Sequence, residues 1–189
     1  MKRITFLLVA VATLAGVVAF TPRTSRRAAV QEAAPVFGIN IPPGYRDWSL
    51  ISVAHVGGNL NDLRVKLGND IAIKAYREGK PFPDGAIIAR LAWRQLASEE
   101  NNKALRGTLE RSGLSPEETT KLLSESFVAG PATNVQFMVK DSKKYAATGG
   151  WGFAQFTNGK PDGEAAHKTC FACHEPAKDR DFVFTRYAP

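Results

Sequence analysis

The chain has only two cysteines, separated by two residues in Cys170-Phe171-Ala172-Cys173-His174. A bridge between them would close almost no loop, so it would remove little entropy from the unfolded chain and is no folding staple. The C-x-x-C-H spacing fits covalent haem attachment instead. Two thiols on one helical turn can add to the two vinyl groups of one porphyrin, and the next residue brings an imidazole under the iron. His174 is then the proximal ligand through Nε2, while its other ring nitrogen donates to an oxygen that fixes the ring. The reading predicts one haem c, bound by Cys170, Cys173 and His174. Other uses of the motif fit less well. A thioredoxin-type pair sits near the start of a βαβ unit, whereas this one is near the C-terminal end. A zinc site would draft His167, Cys170, Cys173 and His174, three of which (167, 170 and 174) share a helical face. An idle dithiol would oxidise to a strained bridge. The histidine directly after the second cysteine decides for haem.

The elements that must position this motif follow from periodicity. Residues 48–55 and 63–67 read as strands separated by Gly57-Gly58-Asn59, and Asn69 or Asp70 caps a helix that stops at Gly79. After the Pro81–Gly85 turn, residues 86–95 form a third strand, with Ile87, Ala89, Leu91 and Trp93 on one face and Ile88, Arg90 and Arg94 on the other. Residues 98–126 are helical and polar, with Ser115-Pro116-Glu117-Glu118 as a capping box. A fourth strand covers 134–140, a short helix 141–147 and a fifth strand 151–156. The motif itself lies on a helix over 165–173, followed by an extended tail over 181–187. The expectation is an α+β fold: a mostly antiparallel five-stranded sheet with short helices and a C-terminal haem-bearing helix.

The chain has 189 residues, of which 44% are hydrophobic and 23% charged, enough to bury a core without staples. The formal charge of +7 overstates the basic character. Lys2, Arg3, Arg23, Arg26 and Arg27 face only Glu32 within the first 34 residues, and the remaining cations are scattered. Without a basic stripe, nucleic-acid binding is excluded as the working reading. Residues 1–20 join two cations to an uncharged apolar run, with Val17-Val18-Ala19 offering a cleavage site. Residues 1–34 therefore read as a signal peptide or membrane anchor plus linker, since about 17–20 apolar residues also suffice to cross a bilayer. Either way residues 35–189 would lie outside the cytoplasm, in the periplasm, where thiol–haem attachment takes place.

Beyond the pentad, several segments stand in a specific order: Tyr45-Arg46-Asp47-Trp48, Phe82-Pro83-Asp84-Gly85, Val139-Lys140-Asp141-Ser142-Lys143, Gly150-Trp151-Gly152-Phe153 and Asp181-Phe182-Val183-Phe184-Thr185-Arg186. In these the chain resembles the cytochrome P-460 family, which includes the cytochromes c′-beta, over roughly residues 43–189 apart from a helical insertion near 104–126. The resemblance implies an antiparallel sheet, a five-coordinate c haem, a homodimer, and binding of nitric oxide or oxidation of hydroxylamine. It also implies two departures. The position of the lysine that hydroxylamine-oxidising members cross-link to haem is Arg90, a far poorer nucleophile. The residue before the first haem cysteine, a carboxylate in those enzymes, is Thr169, which cannot accept a proton at neutral pH. Both favour the ligand-binding side of the family.

Arg90 is the candidate distal residue, either a donor to a bound ligand or a solvated or propionate-paired arginine. His55 reads as an ordinary strand histidine, His167 as a helix-surface residue, and Met138 as packing opposite the Val135-Phe137-Val139 face. Trp48, Trp93 and Trp151 read as core aromatics. Two functions follow. One is a haem protein with an open sixth position for nitric oxide or hydroxylamine-type species. The other is an electron-transfer cytochrome whose second ligand closes the iron.

Overall fold

The computed structural model describes residues 37–188, the side chains of Ala166 and His167 excepted. The expected leader or anchor, residues 1–34, and the surface placement of His167 fall outside the described residues. Among the described residues, no helix is long and apolar enough to cross a membrane. Six antiparallel strands follow one another in chain order: β1 (Ser49–Val56), β2 (Asp62–Gly68), β3 (Ile87–Leu96), β4 (Val128–Lys140), β5 (Trp151–Thr157) and β6 (Lys160–Pro161). Helix α1 (Asp70–Glu78) joins β2 to β3, α2 (Glu99–Arg111) and α3 (Pro116–Ser124) join β3 to β4, and α4 (Glu164–His174) follows β6.

The α+β class stands, with six strands in place of the expected five. The extra strand is two residues long and contains Pro161, so no alternation announces it; it pairs with β5 through Phe156↔Pro161 and Thr157↔Lys160. Strand β4 begins at Val128, well before the expected Asn134. Pro131 lacks a donor, and it is tolerated because the β3–β4 register is irregular between Ala92 and Gln95. Residues 141–147 are not a helix: turns there end in a single 3-10 turn at Ala146–Thr148.

The two-residue period sorts the sheet into two faces. On one, Leu67, Ala89, Leu91, Phe137, Ala154 and Phe156 pack together, with Ile39, Tyr45, Trp48 and Trp93 against them. On the other, Ile88, Trp151 and Phe153 join Ile51, the Ala72, Ile73 and Ala75 face of α1, Phe82 and Val183. Phe137 is 1% exposed and meets Tyr45 and Phe156 edge to face. Phe137→Ala should therefore cost about 3–5 kcal/mol, the range for emptying an aromatic site in a core. Denaturant titration checks this, and a loss below about 1 kcal/mol would mean the site collapses freely.

Asn69 links α1 to the Phe82–Gly85 turn. Its Oδ1 accepts from Ala72 N at 3.0 Å and Ile87 N at 3.1 Å, and its Nδ2 donates to Gly85 O at 2.8 Å. Asp84 of the same turn accepts from Ser142 N and Oγ at 2.7 and 2.8 Å, and these bonds hold its carboxyl below the ordinary range. The turn is thus tied to the strand β4 exit. Helices α2 and α3 form a hairpin, joined by Asn102 Nδ2 donating to Leu123 O at 3.1 Å, and Ser115 and Glu118 complete the expected capping box.

Candidate haem site

Helix α4 carries the pentad in its last turn and a half, so Cys170, Cys173 and His174 fall on adjoining positions of one helical surface. Pro176 follows, and the chain continues as a 3-10 stretch, Glu175–Arg180. Two successive residues then adopt left-handed backbone, Asp181 at φ 51° and Phe182 at φ 62°. That reversal returns the Phe182 carbonyl to His174 Nδ1 at 2.7 Å. A carbonyl oxygen only accepts, so Nδ1 carries the proton and Nε2 keeps its lone pair. Burial lowers the His174 pKa, partly countered by the Phe182 bond, so the ring is neutral, as a metal ligand requires. Phe153 and Phe184 each lie 5.0 Å from the imidazole, centroid to centroid, and limit its rotation.

The left-handed pair is itself held. Asp181 Oδ1 accepts from Lys140 Nζ at 2.6 Å and Trp151 Nε1 at 3.2 Å, and its Oδ2 accepts from Phe82 N at 2.9 Å. The Phe182 ring lies over Gly149, where a Cβ would sit 2.1 Å from it. Glycine is needed there for space as well as for its φ of +66°.

Between α4, the tail and the sheet lies a cavity of about 840 Å³. Cys170, Cys173 and His174 line one side; Ile88, Met138 and Phe153 form an apolar row on the sheet beside it. Cys170 is half-buried and Cys173 exposed, and burial raises the Cys170 thiol above its ordinary pKa. A concave site of this size, two thiols at its rim and a neutral imidazole with a free Nε2 fit a c-type haem.

Further along the sheet the wall is polar and cationic. Arg64 grips Asp62 through Nε at 2.8 Å and Nη2 at 3.1 Å. Arg90 reaches Asp62 at 3.5 Å and donates to Asn134 Oδ1 at 3.0 Å, while its buried Nε has no acceptor among the described residues. Burial and the neighbouring Arg64 pull the Arg90 pKa down to about 10. Arg90 is only 17% exposed, so it is not the solvated residue that one reading allowed.

Thr169 also lines the cavity. Met138 does so too, while packing against the apolar row, so the packing reading describes only half of its surroundings. His55 is exposed on edge strand β1 and Trp151 is fully buried, while Trp48 and Trp93 pack on the opposite face. No three His, Cys, Asp or Glu side chains converge among the described residues; the zinc reading also needed the His167 side chain, which lies outside them. Sequence reasoning missed Asp62, Arg64 and Lys66, whose alternation resembles a solvent-facing edge, and it named Asp181 only within a shared segment, without its anchoring role. The alternation continuing across Arg90 and Gln136 on the same sheet face was the available signal.

No curated protein matches the chain. The Cytochrome P460 family model matches residues 42–185, a span that takes in the sheet, the pentad and the left-handed pair. The chain therefore belongs to the Cytochrome P460 family of c-type haem proteins.

Proposed function

We propose that this protein is an exported c-type cytochrome, matured outside the cytoplasm and acting as a homodimer, which binds nitric oxide or a related nitrogen species at an open haem position. One haem is held by thioethers to Cys170 and Cys173, each formed by adding S–H across a vinyl double bond, with His174 as proximal ligand. Haem iron bound this way supplies a Lewis-acidic, redox-active position for a small ligand. The observation that carries the reading is the cavity itself. It is lined by both His174 and Arg90, and among the described residues no second histidine lines it.

The chain's own residues define the rest. Phe182 O keeps the proton on Nδ1, Phe153 and Phe184 orient the ring, and Arg90 offers donors to a ligand that gathers negative charge. Arg90 and Thr169 supply neither the amine nor the proton acceptor of hydroxylamine oxidation, so binding is the expected activity and hydroxylamine turnover should be weak. Met138 favours the second reading, a six-coordinate electron carrier, because it lines the same cavity. An optical spectrum of the ferrous protein separates the two. A five-coordinate spectrum that changes within mixing time on adding nitric oxide supports the open site. A six-coordinate spectrum converted to an open one by Met138→Leu would establish the electron carrier.

A further inference from the structure

Antiparallel pairing sets Lys66 directly opposite Arg90 across β2 and β3, and Arg64 follows two residues away on the same face. Like charges directly opposite destabilise a strand pair. One carboxylate answers these three cations: Asp62 has both oxygens on Arg64 and shares one of them with Arg90. Among the described residues no carboxylate reaches Lys66 within ion-pair distance. Burial together with Arg64 and Arg90 lowers the Lys66 pKa, and the buried Arg90 Nε finds no acceptor among the described residues. All three cations line the cavity that also holds His174. The shelf carries two uncompensated positive charges and an idle donor, beside a row of apolar side chains that limits what can fit.

We infer that Arg64, Lys66 and Arg90 form an oxyanion shelf, so that the ligand class of this haem pocket is a small singly charged oxyanion such as nitrite. The inference rests on the open haem position proposed above and adds the charge of the ligand. A planar oxyanion accepts from several N–H groups at once, which a guanidinium with a free Nε and a nearby ammonium can supply. A cationic ligand such as hydroxylammonium is repelled. The porphyrin's own propionates are the other source of oxyanions. The haem potential distinguishes the two sources, because loss of a propionate-paired cation moves it without touching the affinity ratio.

The test is a titration of the ferric holoprotein with sodium nitrite and, separately, with imidazole as a neutral ligand, read from the Soret band. The ratio of the two affinities should fall about tenfold in Arg90→Leu and about threefold in the half-exposed Lys66→Gln, whereas Arg90→Lys retains most of it. Nitrite affinity should also weaken with added salt while imidazole affinity holds. An unchanged ratio in Lys66→Gln, or a shift in haem potential without any change in the ratio, overturns the shelf; the latter would assign it to the propionates. If nitric oxide still binds in that case, the proposed function survives without the shelf, whereas failure to bind nitric oxide removes both.

Discussion

Denatured in acid and separated from free porphyrin, the holoprotein should retain its haem, because thioether bonds survive what ligation and packing do not. Replacing both Cys170 and Cys173 by alanine should abolish retention, while either single replacement leaves one bond. The effect is close to all-or-none, since with no thiol left only the His174 ligand and contacts hold the haem. The structure favours attachment at both positions, because the thiols lie three residues apart at the end of α4 on the rim of a cavity large enough for the group. Mass spectrometry of tryptic peptides checks it: the peptide containing Cys170 to His174 should gain the haem mass, and the peptide ending at Arg90 should not. A buried guanidinium whose pKa stays near 10 is protonated at neutral pH and unsuited to nucleophilic attack. Haem extracted completely by acid would refute covalent attachment. Porphyrin on the Arg90 peptide would put this protein with the cross-linked enzymes.

The parts of the molecule legible in the sequence are those fixed by local physics. Asn69 caps α1 and Gly79 ends it at φ +63°, both within a few residues of the helix they bound. The Ser115 capping box and the alternation along β3 are likewise local. The pentad was legible for the same reason, because two thiols and an imidazole on one turn need no tertiary information to meet. Strand β6 was not, because two residues have no period and its existence depends on a partner in β5. The cationic shelf shows a further limit. Asp62, Arg64 and Lys66 alternate as an exposed strand face would, and only the pairing with β3 and the covering helix turn that face into a cavity wall. Asp181 and Lys140 lie 41 residues apart, so no local pattern links them.

That pair sets up the second large effect. Asp181→Ala should lower stability by about 3–5 kcal/mol, the cost of breaking a largely buried ion pair, because Lys140 is only 11% exposed. Trp151 Nε1 and Phe82 N lose their acceptor in the same step, and the left-handed backbone at position 181 loses a side chain that tolerates it. For a chain of this size the thermal midpoint should drop by about 10 °C. Asp181→Asn is the more informative variant. It preserves volume, one acceptor oxygen and the tolerance for positive φ, so the protein should fold with a smaller loss of about 1–3 kcal/mol. What it should still disturb is the aim of the next carbonyl. Phe182 O meets His174 Nδ1 directly after a residue anchored at three points, and a slackened carbonyl makes the imidazole a weaker donor to iron. The haem reduction potential of Asp181→Asn should therefore rise, since a less basic axial ligand stabilises the ferric state less. A fall in thermal midpoint with an unchanged potential would show that Asp181 stabilises the fold alone, and that Phe182 keeps its place through its ring packing on Gly149.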